Sequence, residues 1–281
     1  GYALGVSGQN DSLRDEFGVP IGDDLRLVSY DQEEVEAVEI GYKGLHLDDT
    51  LQIFASIYQY KYDGYQDQLD QFDPIRGAGA QFVSNADGIT NKGFETEIQY
   101  QASDRLNIAA NFSYTETEYG EDYNVFTVDD PVNPVPVFGL CTQGYVGCTV
   151  DDPSFAEDYT VNLKGGPLKG IPEIKHTVRV TYEMDSPVGP LWWLLSHSYT
   201  GEFSASGVQR PLDEISSRET TNLNISWYSN DGATSVRAYI SNLFDNDNYY
   251  ALSTGDHETN YRKSVTALPP RIMGVDLRYR F

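Results

Sequence analysis

The sequence has little cysteine, little methionine and few cations, and it has no long apolar run. Two Cys in 281 residues exclude a disulfide-dense secreted scaffold. Nineteen Lys and Arg against 43 Asp and Glu leave a formal charge of −24, which repels a polyphosphate backbone and argues against nucleic-acid binding. The longest apolar stretches, such as Pro190-Leu191-Trp192-Trp193-Leu194-Leu195, fall far short of the roughly 18 residues that a membrane helix needs. A helical membrane protein is therefore excluded, but a membrane barrel is not, because its strands alternate instead of running apolar. The start, Gly1-Tyr2-Ala3-Leu4-Gly5-Val6, has neither a basic region nor a long apolar stretch, so no targeting signal is visible. Either the protein stays in the cytoplasm or the chain is not a complete precursor.

What is present is β patterning. Hydrophobic residues make up 40% of the chain, enough for a substantial core or lining, and 21 Tyr and 12 Phe suit half-wet surfaces with an apolar ring and, for Tyr, a polar tip. From Thr90 to Tyr100, Phe94, Thr96, Ile98 and Tyr100 share one face, opposite Gly93, Glu95, Glu97 and Gln99. After Ser103-Asp104-Arg105, Leu106, Ile108, Ala110, Phe112 and Tyr114 alternate with Asn107, Ala109, Asn111, Ser113 and Thr115, which predicts a long hairpin. The same grammar recurs to the last strand, where Met273, Val275, Leu277, Tyr279 and Phe281 share a face. Nine strands are predicted: 34–43, 50–62, 81–102, 105–119, 171–185, 190–201, 219–229, 233–243 and 268–281. Within 50–62 the apolar face changes from Leu51, Ile53, Ala55 and Ile57 to Tyr58, Tyr60 and Tyr62, which reads as a bulge or as the shift from an apolar band to an aromatic girdle.

Connection lengths alternate. Segments 44–49, 103–105, 185–189 and 229–232 are short; segments 63–80, 120–170, 202–218 and 245–265 are long. In an up-and-down meander this gathers all short turns at one end and all long loops at the other, as in outer-membrane barrels.

Several motifs resemble the C-terminal part of the β-barrel of TonB-dependent outer-membrane receptors. Asn91-Lys92-Gly93-Phe94-Glu95-Thr96-Glu97 resembles that family's lysine-glycine-aromatic-glutamate strand opening, and Glu39-Ile40-Gly41-Tyr42-Lys43 its glutamate-leucine-glycine-x-lysine strand. Ile240-Ser241-Asn242-Leu243-Phe244-Asp245 with Tyr249-Tyr250 resembles the element before the last strand, and Pro270-Arg271 through Arg278-Tyr279-Arg280-Phe281 its start and finish. The resemblance implies an all-β, antiparallel, up-and-down transmembrane barrel. Nine strands are too few for the family's roughly 22-stranded barrel, and neither a plug nor an energy-coupling box is found. The chain therefore reads as about nine C-terminal strands of a larger barrel without its plug. Residues 1–33 read as an external loop or partial strand, residues 34–281 as barrel, and 120–170 as a long external loop. If Phe281 ends in the periplasm, every short turn lies there and every long loop outside.

The implied function is energy-coupled uptake of a scarce solute, ferric siderophore-like, saccharide or cobalamin-like, across the bacterial outer membrane. The implied partners are outer-membrane lipid, the TonB complex through the missing N-terminal region, the barrel-assembly machinery and a small solute. The alternatives are a passive outer-membrane barrel or adhesin and, third, a soluble carbohydrate-binding β-sandwich.

Glu95, Glu97, Gln99, Asn107, Asn111, Arg179 and Glu183 are expected to face the lumen, where they touch a plug or substrate or simply hydrate the wall. Met273, Val275, Leu277, Tyr279 and Phe281 face lipid and form the candidate assembly signal, which the family resemblance assigns to the barrel-assembly machinery. Cys141 and Cys148, six residues apart within the longest loop, read as a local disulfide; a metal or redox pair is the alternative, but the spacing is not that of a zinc site. Acidic doublets in that loop, such as Asp129-Asp130 and Asp151-Asp152, read as solvated surface in preference to a Ca²⁺ site, lacking an ordered ligand array. His46, His176, His197 and His257 show no spacing that converges on a metal or a catalytic acid. No cofactor, catalytic or nucleotide motif is found, and an enzyme is not expected.

Overall fold

The computed structural model describes residues 2–4, 8–9, 29–73, 78–126, 160–254 and 262–281. Nine strands form one antiparallel meander: β1 (Glu34–His46), β2 (Leu51–Asp63), β3 (Ile89–Ser103), β4 (Leu106–Tyr119), β5 (Ile174–Met184), β6 (Leu191–Thr200), β7 (Arg218–Tyr228), β8 (Thr234–Ser241) and β9 (Ile272–Tyr279). Tyr2–Leu4 adds a short tenth strand beside β1. Among the described residues, β9 has a sheet neighbour on one side only, β8.

Short turns join these strands at one end, and local chemistry fixes each of them. Leu47, Asp48 and Asp49 all have positive φ, and Thr50 Oγ1 donates to the Leu47 carbonyl at 2.7 Å. Ser103 Oγ accepts from the backbone N–H groups of Arg105 and Leu106, which releases the chain into β4. At Asn230-Asp231-Gly232, Gly232 has φ +69°, a conformation glycine adopts at no steric cost. Neighbouring turns are also tied laterally, by the Arg105–Asp185 ion pair and by Asn230 Nδ2 donating to the Pro187 carbonyl at 3.1 Å.

Cross-strand register then aligns side chains of like character. Tyr100, Ile108, Val180, Leu195, Leu223 and Ile240 are successive partners across six strands on one face. Ser56, Glu95, Ser113, Lys175, Thr200 and Arg218 form such a row on the other. Because a one-residue slip would exchange the faces of a whole strand, this agreement fixes the register strongly.

β2 corrects the sequence reading. Its pairing with β1 and with β3 is unbroken, so there is no bulge, and Tyr58, Tyr60 and Tyr62 lie on the polar face, where no outward aromatic girdle would be. Tyr58 lies across Gly93, where a Cβ would meet its ring, and its hydroxyl shares a 3.0 Å hydrogen bond with Thr115 Oγ1. Tyr58 is satisfied inside the wall because a glycine on the next strand leaves room for its ring.

The predicted strand 81–102 is the second correction. It breaks at Asp87-Gly88, where Gly88 has φ +66°, and its first part pairs as Ala78–Ala86 with Tyr65–Asp73, inside the region expected to be a loop. The other three long connections also carry pairs: Asn124–Phe126 with Thr160–Asn162, Phe203–Ser204 with Glu214–Ile215, and Tyr249–Thr254 with Lys263–Ala267. These elements stand as a crown at the end opposite the short turns. The buried apolar cluster sits there, where Ala86, Ile89, Tyr119, Tyr123, Val125, Leu163 and Leu168 pack together. The wall itself has no comparable core.

Candidate functional site

The two faces of the wall differ in what they leave exposed. On the outer face Val38 and Ile40 on β1 and Val275 and Leu277 on β9 are 62–72% exposed, apolar side chains without cover from the described residues. Toward the crown this face turns polar: Lys92 bonds Glu116 at 2.8 Å one step beyond Phe94 and Tyr114. Met273, Val275, Leu277 and Tyr279 are alternate residues of β9 on the apolar face, and Phe281, fully exposed, meets Tyr279 edge-on at 5.0 Å. Among the described residues no helix is long and apolar enough to cross a membrane.

The inner face curves around a recess of about 660 Å³. Of the residues expected on this face, Glu95, Glu97 and Asn111 line the recess. Gln99 adjoins it, with Nε2 donating to Glu97 Oε1 at 2.8 Å. Asn107, Arg179 and Glu183 share the face nearer the short turns, and Asn107 Nδ2 donates to Gln101 Oε1 at 3.0 Å. Glu39, Lys43, Phe54, Lys175 and Thr200 also line the recess but were not named among the residues expected to face the lumen. Their alternation with apolar neighbours was the available signal. Lys43 Nζ stands 4.7 Å over the Phe54 ring, a contact that holds the cation against the wall. Farther along, Arg237 is paired with Asp276, Nη2 to Oδ2 at 2.5 Å.

Above the recess, the crown is tied by Asp67, a carboxylate only 3% exposed. The Tyr119 hydroxyl donates to its Oδ2 at 3.0 Å, and Lys169 Nζ lies 3.0 Å from its Oδ1. Three separate parts of the sequence thus meet at one charge. Nearby, Thr117 Oγ1 accepts from the Leu168 N–H at 2.9 Å. Burial pushes the Tyr123 hydroxyl above its ordinary pKa. At the rim, the Asn162 side chain and then the Lys164 ammonium hold Asp122 below the usual carboxylate range.

Two of the four histidines meet on one face of the wall. His176 and His197 come together with ring centroids 5.6 Å apart, Tyr199 stacks on His176 at 5.1 Å, and His197 Nδ1 meets Thr221 Oγ1 at 2.9 Å. The pairing is diagonal across β5 and β6, so linear spacing does not reveal it. Among the described residues no three His, Cys, Asp or Glu side chains converge as a metal site. Cys141, Cys148, His257 and most of the acidic doublets lie outside the described residues.

The family model for the TonB dependent receptor-like β-barrel matches residues 6–243. The chain belongs to that family. Its structural likenesses include the ferric yersiniabactin uptake receptor FyuA from Yersinia pestis, at 15% identity and TM-score 0.65, covering 100% of this chain and 34% of that one. The siderophore receptor PiuA from Acinetobacter baumannii gives 17% identity and TM-score 0.61, covering 98% and 32%. The copper transporter OprC gives 14% identity and TM-score 0.57, covering 100% and 36%. At these identities the likeness establishes the fold. The chain spans about a third of each of these proteins, so it corresponds to part of a TonB-dependent barrel. Among curated protein sequences, none matches the chain. The family match ends before β9, but the likeness to FyuA covers the whole chain, including the Pro270-Arg271 to Phe281 motif.

Proposed function

We propose that the chain forms part of the wall of an outer-membrane receptor that imports a scarce solute by energy coupling through the TonB complex. The observation that carries this reading is the coincidence of an apolar outward face, a charged inward face and a packed crown at one end of the wall. Lipid covers the first, the second lines a solute path, and the crown offers a capture surface. A passive pore needs no coupling partner, so the two readings separate by energetics. On this proposal the coupling contact lies outside these 281 residues, and the β9 pattern ending at Phe281 is read by the assembly machinery. FyuA is named for ferric yersiniabactin, PiuA for a siderophore and OprC for copper, so the fold does not choose the ligand.

The test is uptake by cells carrying the intact receptor, screened over ferric siderophores, saccharides and cobalamins with and without TonB. The expected result is accumulation of one class that stops when TonB is removed, while binding to the cell surface persists. Uptake that is unchanged without TonB would replace this reading with a passive barrel.

A further inference from the structure

The inner wall is electrically divided. On the β1–β4 half, Glu39, Glu95 and Glu97 outnumber Lys43. On the β5–β9 half, cations outnumber carboxylates although the chain carries a formal charge of −24. Two of these cations stand in one cross-strand row. Lys175 pairs in register with Thr200, and Thr200 with Arg218, at the crown end of the wall. Two strand spacings place their backbones about 10 Å apart, within reach of two long side chains converging from either side of the threonine hydroxyl.

Neither cation has an acceptor among the described residues. Arg237 meets Asp276, and Lys169 meets Asp67, but Lys175 makes no ion pair or hydrogen bond. The Arg218 guanidinium packs over the Phe203 ring at 5.6 Å, and its Nη1 is enclosed with no acceptor. A desolvated guanidinium donor without a partner is costly, and the group that best relieves it is an oxyanion able to accept from the planar fork. Lys175 and Thr200 open onto the recess, whose far side carries Glu39, Glu95 and Glu97, so an acceptor entering there meets Lys175 and Thr200 first, with Arg218 one strand beyond.

Building on the solute-import reading, we propose that Arg218, Thr200 and Lys175 form a subsite for a carboxylate or phosphate group of the imported solute. Arg218 supplies paired N–H donors, Thr200 a hydroxyl, and Lys175 a mobile charge that follows the group into the recess. An uncharged saccharide would leave Nη1 unmet. The same oxyanion chemistry is available from a carboxylate side chain elsewhere in the receptor, and the experiment separates the two sources.

The purified intact receptor is titrated calorimetrically with inorganic phosphate and with succinate at constant ionic strength, chloride serving as the background anion. Saturable binding of at least one probe is expected. Arg218→Gln should weaken it about tenfold, the loss of roughly one charge-assisted interaction; Lys175→Gln should weaken it less, and Arg218→Lys should retain part of it. Arg105→Gln, at the short-turn end, should bind as the parent does. Failure of the parent to bind either probe, or equal binding by Arg218→Gln, overturns the subsite. No anion binding together with a lower melting temperature for Arg218→Gln assigns the contact to the receptor's own carboxylate and also overturns it. None of these readouts needs transport, so TonB-independent uptake with intact anion binding would defeat the functional reading alone.

Discussion

β3 and β4 pass through two regions that obey different rules. In the wall, Phe94 and Phe112 face outward, 37% exposed each, and their rings sit 6.3 Å apart with no layer over them. A few residues on, at the crown ends of the same strands, Ile89 and Tyr119 are completely buried and packed by residues from three long connections. The wall gains its order from a repeating register and leaves its apolar face without cover from the described residues. The crown behaves as a small globular core, stabilised by contacts between segments remote in sequence. A single substitution should therefore act through side-chain direction in the wall and through contact and charge in the crown.

The largest effect should come from testing direction. Arg at Ile98 places a cation on the outer face, whereas Arg at its neighbour Gln99 places it on the inner face beside the recess. In the intact receptor, Ile98→Arg should destabilise the membrane-inserted form by about 2–4 kcal/mol if it lies near the bilayer midplane, and Gln99→Arg by much less. Denaturant unfolding from lipid vesicles measures both. Equal losses would show that facing does not organise the wall.

Glycine substitution sharpens the same contrast from the inner side. A Cβ at Gly93 would meet the Tyr114 carbonyl and the Tyr58 ring. Gly93→Ala should cost about 1–3 kcal/mol through overpacking, and the double variant with Tyr58→Ala should recover only the ring's share. Full recovery would mean that the backbone contact contributes nothing.

The wall was legible in the sequence because its cause is local. Alternation at period two and turn residues such as Asn230-Asp231-Gly232 act over a few positions, and eight of the nine strands were placed to within a few residues. The crown was not legible because its cause is remote: Asp67, Tyr119 and Lys169 carry no shared motif and meet only after the meander has formed. Gly88 offered the one local clue, a glycine able to bend the strand that was predicted to run on from 81 to 102. The inner-wall residues fall between these cases. Parity groups Glu95 with Glu97 on one face, and both line the recess, but the register that sets Lys175 beside Thr200 and Arg218 is a property of three strands together.

In the crown, Asp67→Asn keeps the size and an acceptor for Tyr119 but removes the charge that faces Lys169. Because Lys169 is 37% exposed, water screens part of that attraction, and the expected cost is about 1–2 kcal/mol, confined to the crown. Amide exchange should accelerate at Tyr119, whose N–H donates to the Gly166 carbonyl, while amides at the centre of β5 and β6 stay protected. Acceleration throughout the sheet would mean that crown and wall open as one unit.

The smallest effect lies at the opposite end, where a turn tests whether local chemistry alone sets the short connections. Asp231 Oδ1 accepts from the Ser229 hydroxyl at 2.6 Å and from the Ala233 N–H at 2.9 Å. These bonds, the Ser229 hydroxyl first, lower its pKa below the usual carboxylate value. A depressed folded-state pKa means the stabilisation is present above the unfolded value, about 3.9 for Asp, and is lost as pH falls through the folded value. Asp231→Asn keeps an acceptor oxygen and cannot titrate, so the parent should melt slightly higher than the variant at pH 7. That gap should close as pH drops below the ordinary carboxylate range, since a protonated Asp and an Asn offer the turn similar acceptors. The crown is the same in both proteins and cancels from the difference. A gap that persists at low pH would show that the turn is held by shape alone, and a gap that widens would reverse the sign of the argument.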